Sequence, residues 1–143
     1  MSLLSIRNLD IALPEGADRP FAARAIDFDL AAGEILCIVG ESGSGKSMSA
    51  NAVMGLLPQG VRATGGTITF DGQEILGLPE SKMMALRGKR FAMIFQEPLS
   101  ALNPLMRVGA QISEVFEAHG ELTPSQRRSR ALELLEEVGI PDP

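Results

Sequence analysis

Gly40-Glu41-Ser42-Gly43-Ser44-Gly45-Lys46-Ser47 fits G-x-x-x-x-G-K-S, the pattern of a phosphate-binding loop. At ordinary residue frequencies chance supplies roughly one such match in 200 chains of this length. The flanks add to it. Ile35-Leu36-Cys37-Ile38-Val39 comes just before and reads as a buried strand, and a helical pattern comes just after. Strand, glycine-rich loop and helix is the context the motif requires. Gly43 and Gly45 can take backbone angles closed to other residues, so the loop can curl with its N–H groups inward. Those groups and the positive end of the following helix suit a polyphosphate. Lys46 adds a mobile charge for the terminal phosphates. Ser47 offers a hydroxyl to Mg²⁺, which otherwise keeps waters and phosphate oxygens. The plain alternative is a glycine-rich turn between a strand and a helix.

Upstream of the loop, Leu4 and Ile6, then Leu9, Ile11 and Leu13, alternate with polar residues. They predict a strand with an irregularity near Asn8. Residues 14–20 are a loop by composition. Ala25-Ile26-Asp27-Phe28-Asp29-Leu30 predicts a second, half-buried strand, and Ala32-Gly33-Glu34 turns the chain toward residues 35–39.

Downstream, the spacing predicts a helix from about Ser47 to Leu57, with Ala50, Val53, Met54 and Leu57 on one face and Pro58 and Gly60 ending it. Gly65-Gly66 opens a strand, Thr67 to Phe70, and Asp71-Gly72 is a strong hairpin signal before Gln73-Glu74-Ile75. A short helix from about Pro79 to Leu86 places Met83, Met84 and Leu86 in the core. Phe91-Ala92-Met93-Ile94-Phe95 has the length of a buried strand. Pro98 and Pro104 bracket a loop. A helix from about Leu105 to His119 groups Ile112, Val115 and Phe116, and Gly120 closes it. Thr123-Pro124-Ser125-Gln126 is a capping-box start for a last helix with Ala131, Leu134, Leu135 and Val138 on one face, stopped by Gly139 and Pro141. Arg127, Arg128 and Arg130 read as a solvated face. His119 reads as a helix-end or packed histidine, since no acid or nucleophile is recognisably paired with it.

The chain has 143 residues, enough for a real core, and an ordinary 45% hydrophobic content. Its net charge of −5 disfavours nucleic acid or an anionic membrane surface as the main partner. No apolar run approaches the roughly 18 residues of a membrane span, and no secretory leader pattern is visible. A single cysteine, Cys37, excludes an intrachain disulfide, fits a reducing compartment, and is expected to be a buried, inert thiol.

A second stretch narrows the reading: Met93-Ile94-Phe95-Gln96-Glu97-Pro98-Leu99-Ser100-Ala101-Leu102-Asn103-Pro104. A strand that ends in Gln and breaks into a Pro-bounded loop puts an amide where ligands bind in open α/β sheets. That amide can ligate Mg²⁺ through oxygen and hydrogen-bond a water. A strand-end amide satisfied by backbone is the bland alternative.

GESGSGKS followed by FQEPLSALNP resembles the nucleotide-binding subunit of an ATP-binding-cassette (ABC) transporter, and within that family the ATPases of dipeptide, oligopeptide and nickel importers. The resemblance covers essentially the whole chain. It implies an α/β fold: a P-loop NTPase (RecA-like) core with an N-terminal antiparallel β subdomain, together residues 1–104, and the start of a helical subdomain, residues 105–143. It implies ATP and Mg²⁺ as cofactors. Gly40, Glu41, Ser42, Gly43, Ser44, Gly45, Lys46 and Ser47 would be the Walker A loop, with Met48 beside it. Lys46 would meet the β- and γ-phosphates, and Ser47 and Gln96 would meet Mg²⁺. Lys46 and Gln96 would be the catalytic residues present. Phe21, the only aromatic residue among the first 27, would stack on the adenine.

The implied partners are transmembrane permease subunits, met through residues Glu97 to about Arg107, a second ATPase subunit in a homo- or heterodimer, and indirectly an external substrate-binding protein. The implied place is the cytoplasmic face of the cell membrane. The family also uses an LSGGQ-type signature, a Walker B aspartate, a catalytic glutamate and a switch histidine. None of these occurs in the 143 residues. The expectation is therefore the N-terminal part of a longer importer subunit, not hydrolytic by itself. The alternatives are a non-catalytic nucleotide- or partner-binding module and a non-transport ABC ATPase.

Overall fold

The computed structural model describes residues 2–97, 101–120 and 122–142. They form two compact units, Met1–Arg87 and Gly88–Pro143.

The first unit is built on a four-stranded antiparallel sheet of order β2-β1-β3-β4, with β1 Ser2–Ala12, β2 Phe21–Ala31, β3 Arg62–Phe70 and β4 Gln73–Glu74. β1 is paired on both edges, and Ile6, Leu9 and Ile11 are fully buried along with Ile68 of β3. Residues 6 and 9 differ in parity, so a regular strand would put them on opposite faces. The chain solves this with a bulge: Asn8 takes φ 46, and the register slips between Ile6 and Leu9 against β2 and between Arg7 and Asp10 against β3. Two carboxylates satisfy the disturbed backbone. The Asn8 N–H donates to Asp27 Oδ1 at 3.1 Å, and the Ala25 N–H donates to Asp10 Oδ1 at 2.8 Å.

Gly66 belongs to this irregularity. It has φ 84, and a Cβ there would lie 2.4 Å from the carbonyl oxygens of both Arg7 and Asn8. Gly65-Gly66 thus does not open the strand, as expected from sequence, but sits inside β3 where backbone approaches backbone. The hairpin is as expected. Asp71 and Gly72 both have positive φ, 49 and 78, the requirement of a type I′ turn. The Ile75 N–H then returns to Ile68 O at 2.8 Å.

Helix α1 runs Lys46–Met54, three residues shorter at its C-terminus than expected. Gly55 (φ 64) ends it, its N–H on Ala52 O and that of Leu56 on Asn51 O, a Schellman closure that pre-empts Pro58 and Gly60. The buried face is Ser49, Ala52 and Met54, whereas Ala50 is exposed and Val53 and Leu57 are half-buried. Helix α2, Glu80–Leu86, buries Met83 but leaves Met84 exposed. Arg87 ties the two helix ends together. Its Nε donates to Met54 O at 2.7 Å, its Nη2 donates to Gly55 O at 3.1 Å, and it pairs with Glu80.

The largest departure is residues 35–39. They belong to no strand, and Ile35 and Val39 are 89% and 90% exposed. Cys37 is exposed, not buried. A strand exists by sharing its N–H and C=O groups with a neighbour, and among the described residues none pairs with this run. Residues 91–95 of the second unit likewise form no expected strand, with Ile94 95% exposed.

The second unit contains α3, Val108–Ala118, and α4, Pro124–Glu137. α3 starts three residues later than expected because Asn103 holds the preceding turn. Its Oδ1 accepts from the Leu105 N–H at 3.0 Å, its O accepts from the Met106 N–H, and the Gln111 amide bonds both its N–H and its C=O. The capping box at Thr123 and Gln126 is present as expected. Gly120 and Gly139 close the helices in the left-handed region. Ala131 is buried, and Ile112, Phe116, Leu134 and Leu135 are half-buried, but Val115 and Val138 point to solvent. Two of the three arginines are ion-paired, Arg127 with Glu117 and Arg130 with Glu133 and Glu137. Arg128 is exposed, and His119 is a half-buried helix end. The loop between Pro98 and Pro104 has Pro98, Leu99 and Ser100 outside the described residues.

Candidate functional site

The glycine-rich loop leads directly into α1. Gly45 caps the helix in the left-handed region, φ 95, and Gly43 has φ 82. A Cβ on Gly45 would meet Ala22 O at 2.6 Å and Ala23 Cβ at 2.7 Å, so β2 backbone presses on this position and excludes any side chain. Gly40 is crowded from the other side, where a Cβ would lie 2.7 Å from Ser44 Oγ. The Ser44 N–H closes back on Glu41 O at 3.2 Å. Ser49, buried beneath the loop, sends both its N–H and its hydroxyl to Gly45 O, at 2.9 and 3.0 Å. β2 backbone thus excludes a side chain at Gly45, and Ser44 and Ser49 bond within and beneath the loop.

Lys46 folds over the loop it belongs to. Its Nζ donates to Gly40 O at 2.6 Å, Glu41 O at 2.8 Å and Ser44 Oγ at 3.3 Å. The ammonium thus lies at the mouth of the loop, and the first-turn N–H groups of α1 have no intrahelical acceptor. Glu41 and Ser42 are exposed, as is Ser47, whose hydroxyl is open to a cation, and Met48 is half-buried. Backbone donors, a helix N-terminus and one ammonium gathered at one loop suit an anion.

Two cavities open on the loop. One, about 190 Å³, is lined by Leu13, Arg19, Ala22 and Gly43 to Met48. The other, about 530 Å³, lies between the face of β2 and residues 36–40, with Ser44, Gly45, Lys46 and Ser49 at one end. Arg19 donates from Nη2 to Gly43 O at 2.5 Å. No motif points to Arg19 or Leu13; residues 14–20 read only as a loop, and the Leu13 N–H to Pro20 O bond that closes it has no sequence signature.

Residues 40–48 are brought together around this loop. Phe21 lines neither cavity. It is half-buried on β2, and the guanidinium carbon of Arg24 lies 4.7 Å from its ring centre. Gln96 lies in the second unit, exposed, at a bend just after residues 91–95. Among the described residues, no helix is long and apolar enough to cross a membrane.

The chain is similar to known proteins along nearly its whole length. Over 142 residues the chain is 46% identical to the peptidoglycan transport ATP-binding protein YejF of Agrobacterium fabrum, covering 99% of this chain and 26% of that protein. It is 44% identical over 142 residues to the oligopeptide transport ATP-binding protein OppD of Bacillus subtilis, covering 99% and 40%. The chain thus spans less than half the length of these curated relatives. Among solved structures it superposes on a dimeric ATP-binding cassette in a post-hydrolysis state bound to ADP and Pi. The TM-score is 0.76 at 23% identity, over 93% of this chain and 56% of that one. That likeness bears out the α/β cassette fold expected from the sequence. Residues 23–143 match the ABC transporter family, and the chain belongs to that family.

Proposed function

We propose that this chain is the nucleotide-binding part of an ATP-binding subunit that energises the import of peptides, with nickel as the other cargo that the sequence resemblance allows. The carrying observation is the glycine-rich loop at residues 40–47 on the N-terminus of α1, with Gly45 packed against Ala22 and the Lys46 ammonium bonded across the loop. The names of the transport relatives support the cargo class.

In this reading the backbone N–H groups from Gly43 to Met48 bind the phosphates of ATP. Lys46 exchanges its carbonyl partners for the β- and γ-phosphates. Ser47 donates its oxygen to Mg²⁺. Mg²⁺ keeps waters and phosphate oxygens among its ligands, and Gln96 would be a second ligand from this chain. Bound Mg²⁺ would neutralise charge on the transferring phosphoryl group. Gln96 would approach the same site, and residues from Glu97 to about Arg107 would meet the permease. Residues 1–104 would belong to the core with its β subdomain, and residues 105–143 to the helical subdomain. A second ATPase subunit and an external substrate-binding protein complete the assembly, at the cytoplasmic face of the membrane.

The 143 residues hold no signature motif, Walker B aspartate or catalytic glutamate, so the chain alone binds ATP weakly and does not turn it over. Calorimetric titration with MgATP tests this. The expected result is binding weaker than micromolar, lost in Lys46→Ala, with no steady phosphate release. Sub-micromolar affinity, or sustained hydrolysis by the purified chain, overturns it.

A further inference from the structure

We infer that Arg87 is a positioning residue for the phosphate loop: it fixes the C-terminal end of α1 and, through that helix, the N–H groups at the other end. This inference rests on reading residues 40–47 as the phosphate cradle. α1 has nine residues, fewer than a helix needs to stand by itself in water, so its place is set by what packs on it. Its front end is held where Gly45 meets Ala22 and Ala23 of β2. Its back end is held by Arg87. The Schellman closure uses the Asn51 and Ala52 carbonyls. It leaves those of Met54 and Gly55, which accept from Arg87 Nε at 2.7 Å and Nη2 at 3.1 Å.

No side chain of α1 could do the same. Its last turn carries no basic residue, so the guanidinium from outside is the cation at the negative end of the helix dipole. Both oxygens of Glu80 hold that guanidinium in turn, at 2.5 and 3.1 Å, and only 17% of the Arg87 side chain is exposed. Gly55 makes the approach possible, since a Cβ there would lie 3.1 Å from Arg87 Nη2 and 3.2 Å from Met83 Cε. A planar fork serves two carbonyls and a carboxylate at once, which the point charge of a lysine does not. A short helix moves as a unit, so a shift of α1 at Met54 and Gly55 carries Lys46, Ser47 and the first-turn N–H groups with it.

The test reads the loop in the purified chain. Amide chemical shifts by NMR need no nucleotide. Arg87→Lys is expected to move those of residues 43–48 as well as those beside the substitution, and to leave β1 unmoved. MgATP and magnesium tripolyphosphate are then titrated in parallel. Arg87→Ala is expected to weaken both about fivefold, and Arg87→Lys, which keeps the charge, to weaken both by less. Gly72→Ala strains the turn between β3 and β4 and serves as the destabilised control. It is expected to leave the loop shifts and both affinities unchanged.

Shifts confined to residues 51–57 and 79–88 in Arg87→Lys overturn the inference. So does a loss in Gly72→Ala equal to that in Arg87→Ala, which would make Arg87 a support of stability alone. Weakened ATP with unaltered tripolyphosphate overturns it as well, because a residue acting through the cradle acts on phosphate. If Arg87→Ala does not fold, Arg87→Lys decides by the same measurements. Binding of neither ligand by the unaltered chain is a different failure, that of the phosphate site, and the amide shifts still decide the role of Arg87.

Discussion

β1 and the run 35–39 are both rich in apolar residues, yet β1 holds three of the four large side chains that are fully buried among the described residues, and 35–39 is among the most exposed stretches. Ile6 has no accessible surface and Ile35 has 89% of its own. Composition does not separate them. β1 lies between β2 and β3, which take its backbone bonds and cover its side chains. Residues 35–39 have no such neighbours among the described residues. Hydrophobicity states a demand for partners; the fold is where the demand is met. Two of the three pairings in the first unit's sheet are closed by short connections, the 13–20 loop and the Asp71-Gly72 turn, while β1 meets β3 from fifty or more residues away.

The sharpest way to break this contrast is to cut the same atoms from both places. Ile6→Ala removes buried methyl and methylene groups and leaves a cavity in the sheet face, which costs about 3 kcal/mol. Ile35→Ala removes the same groups from solvent and changes stability by less than about 0.5 kcal/mol. Urea unfolding at unchanged m-value reads both. Comparable losses at the two sites would mean that residues 35–39 are covered in solution, and the distinction would fall.

A smaller effect probes why the sheet can be continuous at all. Gly66→Ala places a methyl group 2.4 Å from two carbonyl oxygens at a residue with φ 84. The backbone must give, and the cost is about 2 kcal/mol, the strain of one forbidden conformation with its lost bulge contacts. Gly72→Ala makes the comparison, since an added Cβ there meets nothing within 4 Å despite φ 78. It should lose about half as much by the same denaturation measurement, from φ strain alone. Equal losses would show that the close approach at the bulge relaxes freely.

These two residues mark how far the sequence could be read. Asp71-Gly72 is a local rule, two residues of positive φ between short apolar runs, and its hairpin was legible. So were the capping box at Thr123, the irregularity near Asn8, and the glycine-rich turn into α1, because each is decided within a few residues. Gly66 was misplaced because its reason is Arg7 and Asn8, nearly sixty residues earlier in sequence. Residues 35–39 and 91–95, and with them Cys37, were read as buried because apolar runs carry no record of which strand covers them. At the site, the loop itself was fully legible, but Arg19 was not. Its place beside Gly43 comes from how the 13–20 loop folds back.

The smallest expected effect lies at the sheet's rim, where Arg7 of β1 pairs with Asp29 of β2. The hydrogen bond from Arg7, with help from Ser5 and Ser2, holds the Asp29 carboxyl below its ordinary 3.8. A carboxyl whose folded pKa is depressed stabilises the fold above its unfolded value and loses that contribution as pH falls through the folded one. Asp29→Asn should therefore lower the melting temperature slightly near neutral pH, and the gap from the unaltered chain should close as pH drops through and below 3.8. Both side chains are about half exposed, so salt should shrink the gap as well. Arg7 also donates to the Phe28 and Ile6 carbonyls, so the arginine stays anchored in the variant and the difference isolates the carboxylate. A gap that persists unchanged into acid, or that rivals the loss from Ile6→Ala, would mean that rim charge rather than buried area holds β1 to β2.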